Sequence, residues 1–365
     1  MNKERRRMDY LLLAAVAALL AIGTVVVFSA SAQASFKQFG SPYYFVEHQL
    51  LWSVIGIIAL IVASRIDYWR YNKLIFPGFV LSILLLIAVL IPHVGINING
   101  ARRWLGVGSL QIQPSELGKL ATIFLFARLF SLHRDRLNDL WKGVVPHILL
   151  ASVIFVLVLA EPDLGTTVVI AGTFFVMMFV SGVKKRHLFE LGGTAIPVLA
   201  AVIFAAPYRR QRIFAFLNPW KHPLGDGFHT IQALLALGSG GLLGVGLGYS
   251  RQALGYLPEA FTDFIFAILG EELGLLGTVS VVLLFMIVAW RGYRIAMRAP
   301  DMYSSLLATG LTTMIVIQAA INIGVVTATL PVTGITLPFI SYGGSSLVLS
   351  MAGVGVLLNI SKHAM

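Results

Sequence analysis

The chain has 365 residues, of which 58% are apolar and only 12% charged, with a formal net charge of +11 and no cysteine. Soluble globular chains run at about 45–50% apolar and about 25% charged. A soluble fold could not hide this much apolar surface, so the bilayer must be its solvent. The missing cysteines exclude disulfides, thiolate metal sites and a cysteine nucleophile. The basic excess lies between apolar runs rather than in one patch, which argues against nucleic acid as a partner.

In chain order, Lys3, Arg5, Arg6 and Arg7 precede an apolar run from Tyr10 to Phe28, followed by Ala30, Ala32 and Ala34. This pattern resembles a signal peptide, but signal cores are about 7–15 residues long, so the run is read as a retained first span. Crossing a bilayer takes about 20 apolar residues. Such runs fall near 9–30, 48–64, 74–92, 114–131, 144–160, 164–182, 188–206, 262–290, 304–329 and 343–360. They predict an all-α polytopic membrane protein with about ten transmembrane helices. Pro162 and Gly165 mark the turn that separates the fifth run from the sixth.

With the N-terminus inside, 18 of the 27 Lys and Arg residues fall in inward segments, eight fall outside, and Lys119 lies within a span. By the positive-inside rule both termini are expected in the cytoplasm. The segment 207–260 then becomes a large outward loop between spans 7 and 8, too long to be a mere connector. It holds Arg209, Arg210, Arg212, an Asn218-Pro-Trp220 turn and six glycines between Gly238 and Gly248.

Three groups of residues could carry chemistry. Glu116 and Lys119 share one helix face at i, i+3 spacing, after a Pro114 suited to a first helical turn. Charge inside a span costs about 2.5–3.5 kcal/mol, so it usually faces a polar cavity or partner; a structural ion pair near the membrane surface is the alternative. Asp263 stands where the long loop enters the eighth span, among Phe261, Phe264, Ile265 and Phe266. A carboxylate there could be desolvated and suited to general-base work, or Thr262 or Asp263 could simply cap the helix. Glu271 and Glu272 follow, and at least one is expected to make a buried polar contact. The third group is outward and basic: Arg102 and Arg103 beside Trp104, and Arg209 with Arg212. Their guanidinium forks suit phosphate oxygens, and attraction to lipid headgroups would use the same charge.

Weaker signals carry less. The glycine cluster matches neither a P-loop nor a dinucleotide fingerprint, and could serve tight turns and close helix contacts. The spacing of His222, Asp226 and His229 is not specific for a metal.

The stretches Asn99–Trp104, Gln113-Pro-Ser-Glu116, Pro162-Asp-Leu-Gly165, Tyr256-Leu-Pro-Glu259, Thr262-Asp-Phe-Ile-Phe266, Gly270-Glu-Glu-Leu-Gly274 and Pro331–Gly344 resemble, in order, those of the SEDS proteins of shape, elongation, division and sporulation. The likeness runs from the first span to the last and is closer to the division and sporulation branch (FtsW, SpoVE) than to the elongation branch (RodA). It implies a single transmembrane domain over 1–365 with an outward catalytic segment at about 207–262. It also implies a peptidoglycan glycosyltransferase of the bacterial cytoplasmic membrane that polymerises lipid II during division or sporulation. A class B penicillin-binding transpeptidase and divisome or sporulation proteins are its implied partners. Asp263 falls on the family's essential aspartate, and Glu116 and Lys119 on its intramembrane pair. No resident cofactor is implied, and a divalent cation is compatible with the chemistry. The sequence departs from the family at Phe261, where His or Gln is common, and at Glu161, where Gln is frequent. Two rival classes stand beside this one: a flippase of the same lipid-linked precursor, and a non-catalytic scaffold that would not require Asp263.

Overall fold

The computed structural model describes residues 8–98, 100–107, 110–225 and 227–364, with the backbone alone at Ile98, Val107 and Leu110. Lys3, Arg5, Arg6, Arg7, Asn99 and Asp226 fall outside the described residues. The described chain forms α1 (Tyr10–Phe39), α2 (Tyr44–Arg65), α3 (Ile75–Leu90), α4 (Pro114–Leu132), α5 (Val145–Ala160) and α6 (Leu164–Val180). These are followed by α7 (Lys185–Ala205), α8 (Pro207–Leu217), α9 (Phe228–Gly240), α10 (Ile265–Met297), α11 (Met302–Val326) and α12 (Gly344–Ser361).

Among the described residues seven helices are long and apolar enough to cross a membrane: α1, α2, the helix Leu140–Ala160 that contains α5, α7, α10, α11 and α12. The chain is thus a mostly helical, multi-pass membrane protein. Helices α3 and α6 are apolar but only 16 and 17 residues long. Helix α4 spans 19 residues and carries Glu116, Lys119 and Arg128. Helix α11 is the hub, buried along most of its length against α4, α6, α10 and α12. A helix buried on all sides in a membrane bundle can carry polar groups only by pairing them, and α11 carries Gln318 and Asn322. Helix α7 is the opposite case, with Leu188 its one buried residue among those described.

Two features depart from the sequence reading. First, the fold is not wholly α-helical. Residues 96–112 form an antiparallel ribbon of β1 (Ile96–Ile98), β2 (Ala101–Val107) and β3 (Leu110–Ile112). The register pairs Asn97 with Arg102, Ile96 with Trp104, and Leu105 with Ile112. The β1–β2 turn runs through Gly100 at φ +81°, a conformation glycine adopts without steric cost. Strands this short give too little alternation to be told from loop by pattern. Second, the segment 207–260 is not an open loop, because α8 and α9 lie within it and α9 packs on α10 and α11.

The glycine cluster has a backbone role. Helix α10 is broken at Gly274, where φ is +65°. The break removes ordinary helical bonds, and a membrane helix cannot leave such groups unpaired. The segment after α9 replaces them: the Val245 and Gly246 N–H groups donate to the Glu271 and Glu272 carbonyls at 2.9 and 3.0 Å. In return the Leu275 and Leu276 N–H groups donate to the Gly241 and Leu242 carbonyls at 2.9 and 3.2 Å. A Cβ on Gly244 would lie 2.1 Å from the Glu272 carbonyl oxygen, so only glycine permits the approach. Both acidic side chains beside the break are buried and bonded. Glu271 accepts from the Ser250 hydroxyl and the Arg251 N–H, and Glu272 accepts from the Ser29 hydroxyl and the Gly248 N–H.

Candidate active site

Asp263 precedes α10 by two residues and lies outside the spanning helix. Neither Thr262 nor Asp263 caps α10; the cap position is Phe264, which makes no side-chain cap bond. The Thr262 hydroxyl is turned instead to the Glu259 carboxylate at 2.9 Å. The Asp263 carboxylate is half-buried and accepts no hydrogen bond among the described residues. Its position is fixed through the main chain: the Asn322 side-chain amide donates to the Asp263 carbonyl at 2.7 Å and to the Ile335 carbonyl at 2.7 Å. The Tyr342 N–H donates to the Phe261 carbonyl at 2.9 Å. The turn before α10 is therefore stitched to the segment 331–343.

Gly334 in that segment has φ +75°, and a Cβ built on it would lie 3.5 Å from Asp263 Oδ2 and 3.8 Å from Arg103 Nη1. Arg103 thus faces Asp263 across a glycine. Its guanidinium is anchored from behind: Nε donates to the Glu161 carbonyl at 3.1 Å, and Nη2 donates to the Pro162 carbonyl. That turn is rigid in its own right. Asp163 caps α6 by accepting from the Thr166 N–H at 2.9 Å, and it also accepts from the Thr166 hydroxyl and the Gln113 amide. Gly165 lies against Ile335 so closely that a Cβ would meet the Ile335 side chain at 2.5 Å.

The electrostatics follow from this crowding. Burial and the neighbouring Glu259 push the Asp263 carboxyl up to about 7; Arg103 and Arg212 pull it down and Asp163 adds to the rise. Glu161, between α5 and α6, is fully buried, and neither carboxyl oxygen is hydrogen-bonded among the described residues. Burial, then Asp163, push it up to about 9 against the pull of Arg103. A group with a carboxylate near neutrality, flanked by guanidinium groups, can accept a proton and neutralise an anion formed beside it. Among the described residues no three His, Asp or Glu side chains gather as a metal site.

The family model of the cell cycle proteins FtsW, RodA and SpoVE matches residues 10–365. This chain belongs to that family. Stage V sporulation protein E of Bacillus subtilis is 47% identical over 364 residues, covering 100% of both chains. The probable peptidoglycan glycosyltransferase FtsW of Geobacter sulfurreducens is 40% identical over 361 residues, covering 99% of this chain and 97% of the relative. Among solved structures, a chain of a peptidoglycan synthase complex aligns with TM-score 0.79 at 31% identity, covering 97% of each chain. The rod shape determining protein RodA of Thermus thermophilus aligns with TM-score 0.71 at 30% identity, covering 97% of this chain and 96% of that one.

The residues singled out in the sequence do not all meet in one place. Asp263 and Arg103 do, and Arg212 stands near them, donating to the Val332 carbonyl at 3.3 Å. Arg209 is turned away. Its guanidinium donates to the Tyr208 hydroxyl at 2.8 Å, the Val202 carbonyl at 3.0 Å and the Leu159 carbonyl at 3.2 Å, tying α8 to the ends of α7 and α5. Arg102 and Trp104 flank Arg103 on β2, where the register with β1 slips: Ile96 pairs with Trp104 and Asn97 with Arg102, which leaves Arg103 as the unpaired residue of a bulge.

Glu116 and Lys119 are 5% and 2% exposed and face each other rather than an open polar cavity. Lys119 Nζ donates to Glu116 at 2.8 Å and to the Gln318 amide oxygen at 2.6 Å. The gap beside Lys119, lined by Thr122, Ile170 and Met314 among others, is too small for a water molecule. Gln318 in turn donates to the Thr336 carbonyl at 3.0 Å. The pair therefore lies under the segment 331–343, joined to it through Gln318. Gln318 and Asn322 escaped the sequence reading, and Gly334 entered it only as part of the stretch Pro331–Gly344. The four-residue spacing of two amides inside an apolar run was the signal that could have found the first two.

Proposed function

We propose that this chain is a peptidoglycan glycosyltransferase that polymerises lipid II, with Asp263 as general base and Arg103 and Arg212 as the cationic clamp. The single observation that carries the reading is the approach of Asp263 Oδ2 and Arg103 Nη1 to the same point over Gly334. An acceptor sugar hydroxyl gives its proton to Asp263 while its oxygen bonds to the donor's anomeric carbon. The bond from that carbon to the lipid pyrophosphate breaks, and the pyrophosphate leaves with the electron pair. Its developing charge falls where Arg103 and Arg212 neutralise it. A pyrophosphate is already a good leaving group, so one base suffices where glycosidases use two carboxylates.

The same reading takes α3, α4 and α6 as spans beside the seven longer helices, giving ten, with both termini cytoplasmic and 207–260 outward. It takes a penicillin-binding transpeptidase and the division or sporulation machinery as partners. The synthase complex among its structural neighbours supports the first.

The experiment is polymer formation by the full chain in detergent, with no compartments to cross. Asp263→Asn keeps shape and removes basicity, and polymerisation should fall by about 10²-fold or more. Near-normal polymerisation by a folded Asn variant rules out the base. Precursor movement across vesicles, with no polymer in detergent, would favour a flippase.

A further inference from the structure

Asp263 has to be held by something other than its own carboxylate, since that group makes no hydrogen bond among the described residues. Helix α11 supplies the hold. Asn322 is 1% exposed, sits in the hub helix of the bundle, and uses one amide nitrogen to bind two carbonyls at 2.7 Å each. One belongs to Asp263 and the other to Ile335, the residue after Gly334. One turn earlier, Gln318 binds the Thr336 carbonyl at 3.0 Å. Two amides on one face of α11 thus engage consecutive residues of the segment 331–343, and only Asn322 engages the turn before α10 as well.

We propose that Asn322 is a positioning residue that sets the separation of the Asp263 carboxylate from Arg103 by clamping the Asp263 and Ile335 carbonyls together. This rests on the reading of Asp263 as the base. The physics is that of a doubly used donor at a junction. Without the amide, the Asp263 and Ile335 carbonyls lose their shared partner, and Asp263 is no longer tied to Ile335 or to α11, while Tyr342 still holds Phe261 and Gln318 still holds Thr336. The carboxylate then loses its register over Gly334, and misplacement by about 1 Å can cost on the order of 10²-fold in rate. Asn322 touches neither substrate nor the reacting atoms, so its loss acts on turnover rather than on substrate capture.

The test compares Asn322→Ala and Asn322→Ser with the unchanged protein, as full chains in detergent with purified lipid II. A serine hydroxyl can still serve one of the two carbonyls. Turnover is expected to fall furthest in Asn322→Ala and less in Asn322→Ser, with lipid II half-saturation within about twofold of the unchanged protein. The acid limb of the rate profile is expected to move toward the ordinary carboxylate range, as Asp263 gains access to water. A merely structural amide would not move that limb. Unchanged turnover in Asn322→Ala overturns the proposal. So does a loss of turnover matched by an equal loss of lipid II binding capacity, with the limb in place. Asp263→Asn measured in parallel separates the two ideas. An active Asp263→Asn sinks the base assignment, whereas an inactive Asp263→Asn beside a fully active Asn322→Ala sinks only this one.

Discussion

Asp263 and Arg103 face each other over Gly334, with 3.5 Å and 3.8 Å separating Oδ2 and Nη1 from the point where a glycine Cβ would stand. The two residues are 160 positions apart in the chain. They meet because β2, the turn 161–163 and the segment 331–343 are each anchored by main-chain carbonyls rather than by the carboxylate itself. The base stays available and the cation stays oriented.

The pH dependence follows from the position of Asp263. Burial and Glu259 push its carboxyl up to about 7, and a general base works only when ionised. Polymerisation at limiting lipid II should therefore rise with pH, with a midpoint about 7, and level off above it. Initial rates across pH 5.5–9 measure this. A flat profile over that range would mean a carboxyl of ordinary affinity, about 3.9, and a different limiting group.

Arg212 and Arg209 should separate although they lie three residues apart. Arg209 spends three of its five N–H donors on one hydroxyl and two carbonyls. Arg209→Ala should lower the thermal midpoint by freeing α8, with a smaller intrinsic effect on rate. Among the described residues Arg212 donates one hydrogen bond, to the Val332 carbonyl, and Arg212→Ala should cost about 10–10²-fold in kcat/KM, the scale of a lost charge-assisted bond. Loss of rate without loss of midpoint in Arg209→Ala would reverse the assignment.

The buried pair predicts non-additivity. Breaking a buried ion pair by removing one partner costs about 3–5 kcal/mol, because the other charge is left uncompensated. Glu116→Gln and Lys119→Met should each impair stability and polymerisation strongly, and the double change should harm less than the sum. A double-mutant cycle on midpoint and rate reads the coupling, expected at about 0.5–3 kcal/mol. Strict additivity would leave two independent sites and defeat the pairing.

Glu161 makes a prediction of opposite sign. Its carboxyl is pushed up to about 9 in the fold, above the unfolded value of about 4.3. A raised pKa contributes its stability below the unfolded value and loses it as pH rises toward the folded one. Glu161→Gln is a neutral isostere, so its thermal midpoint should exceed that of the unchanged protein at pH 7–8 and by more at pH 9. Activity should change little, since Arg103 binds the main-chain carbonyl at this position. Equal midpoints at every pH would show that Glu161 is solvated.

Much of the membrane protein was legible in the sequence. Apolar runs report spans directly, because lipid leaves helices as the economical way to satisfy a long backbone. Motif order identified the family, and the i, i+3 rule paired Glu116 with Lys119. The boundary at Asp263 was legible too, but not its partner, and Arg102, Arg103, Arg209 and Arg212 looked alike as charges on outward segments. Only the tertiary structure chose among them. A slip in the β1–β2 register left Arg103 unpaired on its strand with its guanidinium held by the Glu161 and Pro162 carbonyls, the ends of α5 and α7 bound Arg209, and Asn322 and Gly334 brought Asp263 to Arg103. Sequence periodicity encodes the face of a single element, whereas which carbonyl satisfies which donor depends on how separate elements pack.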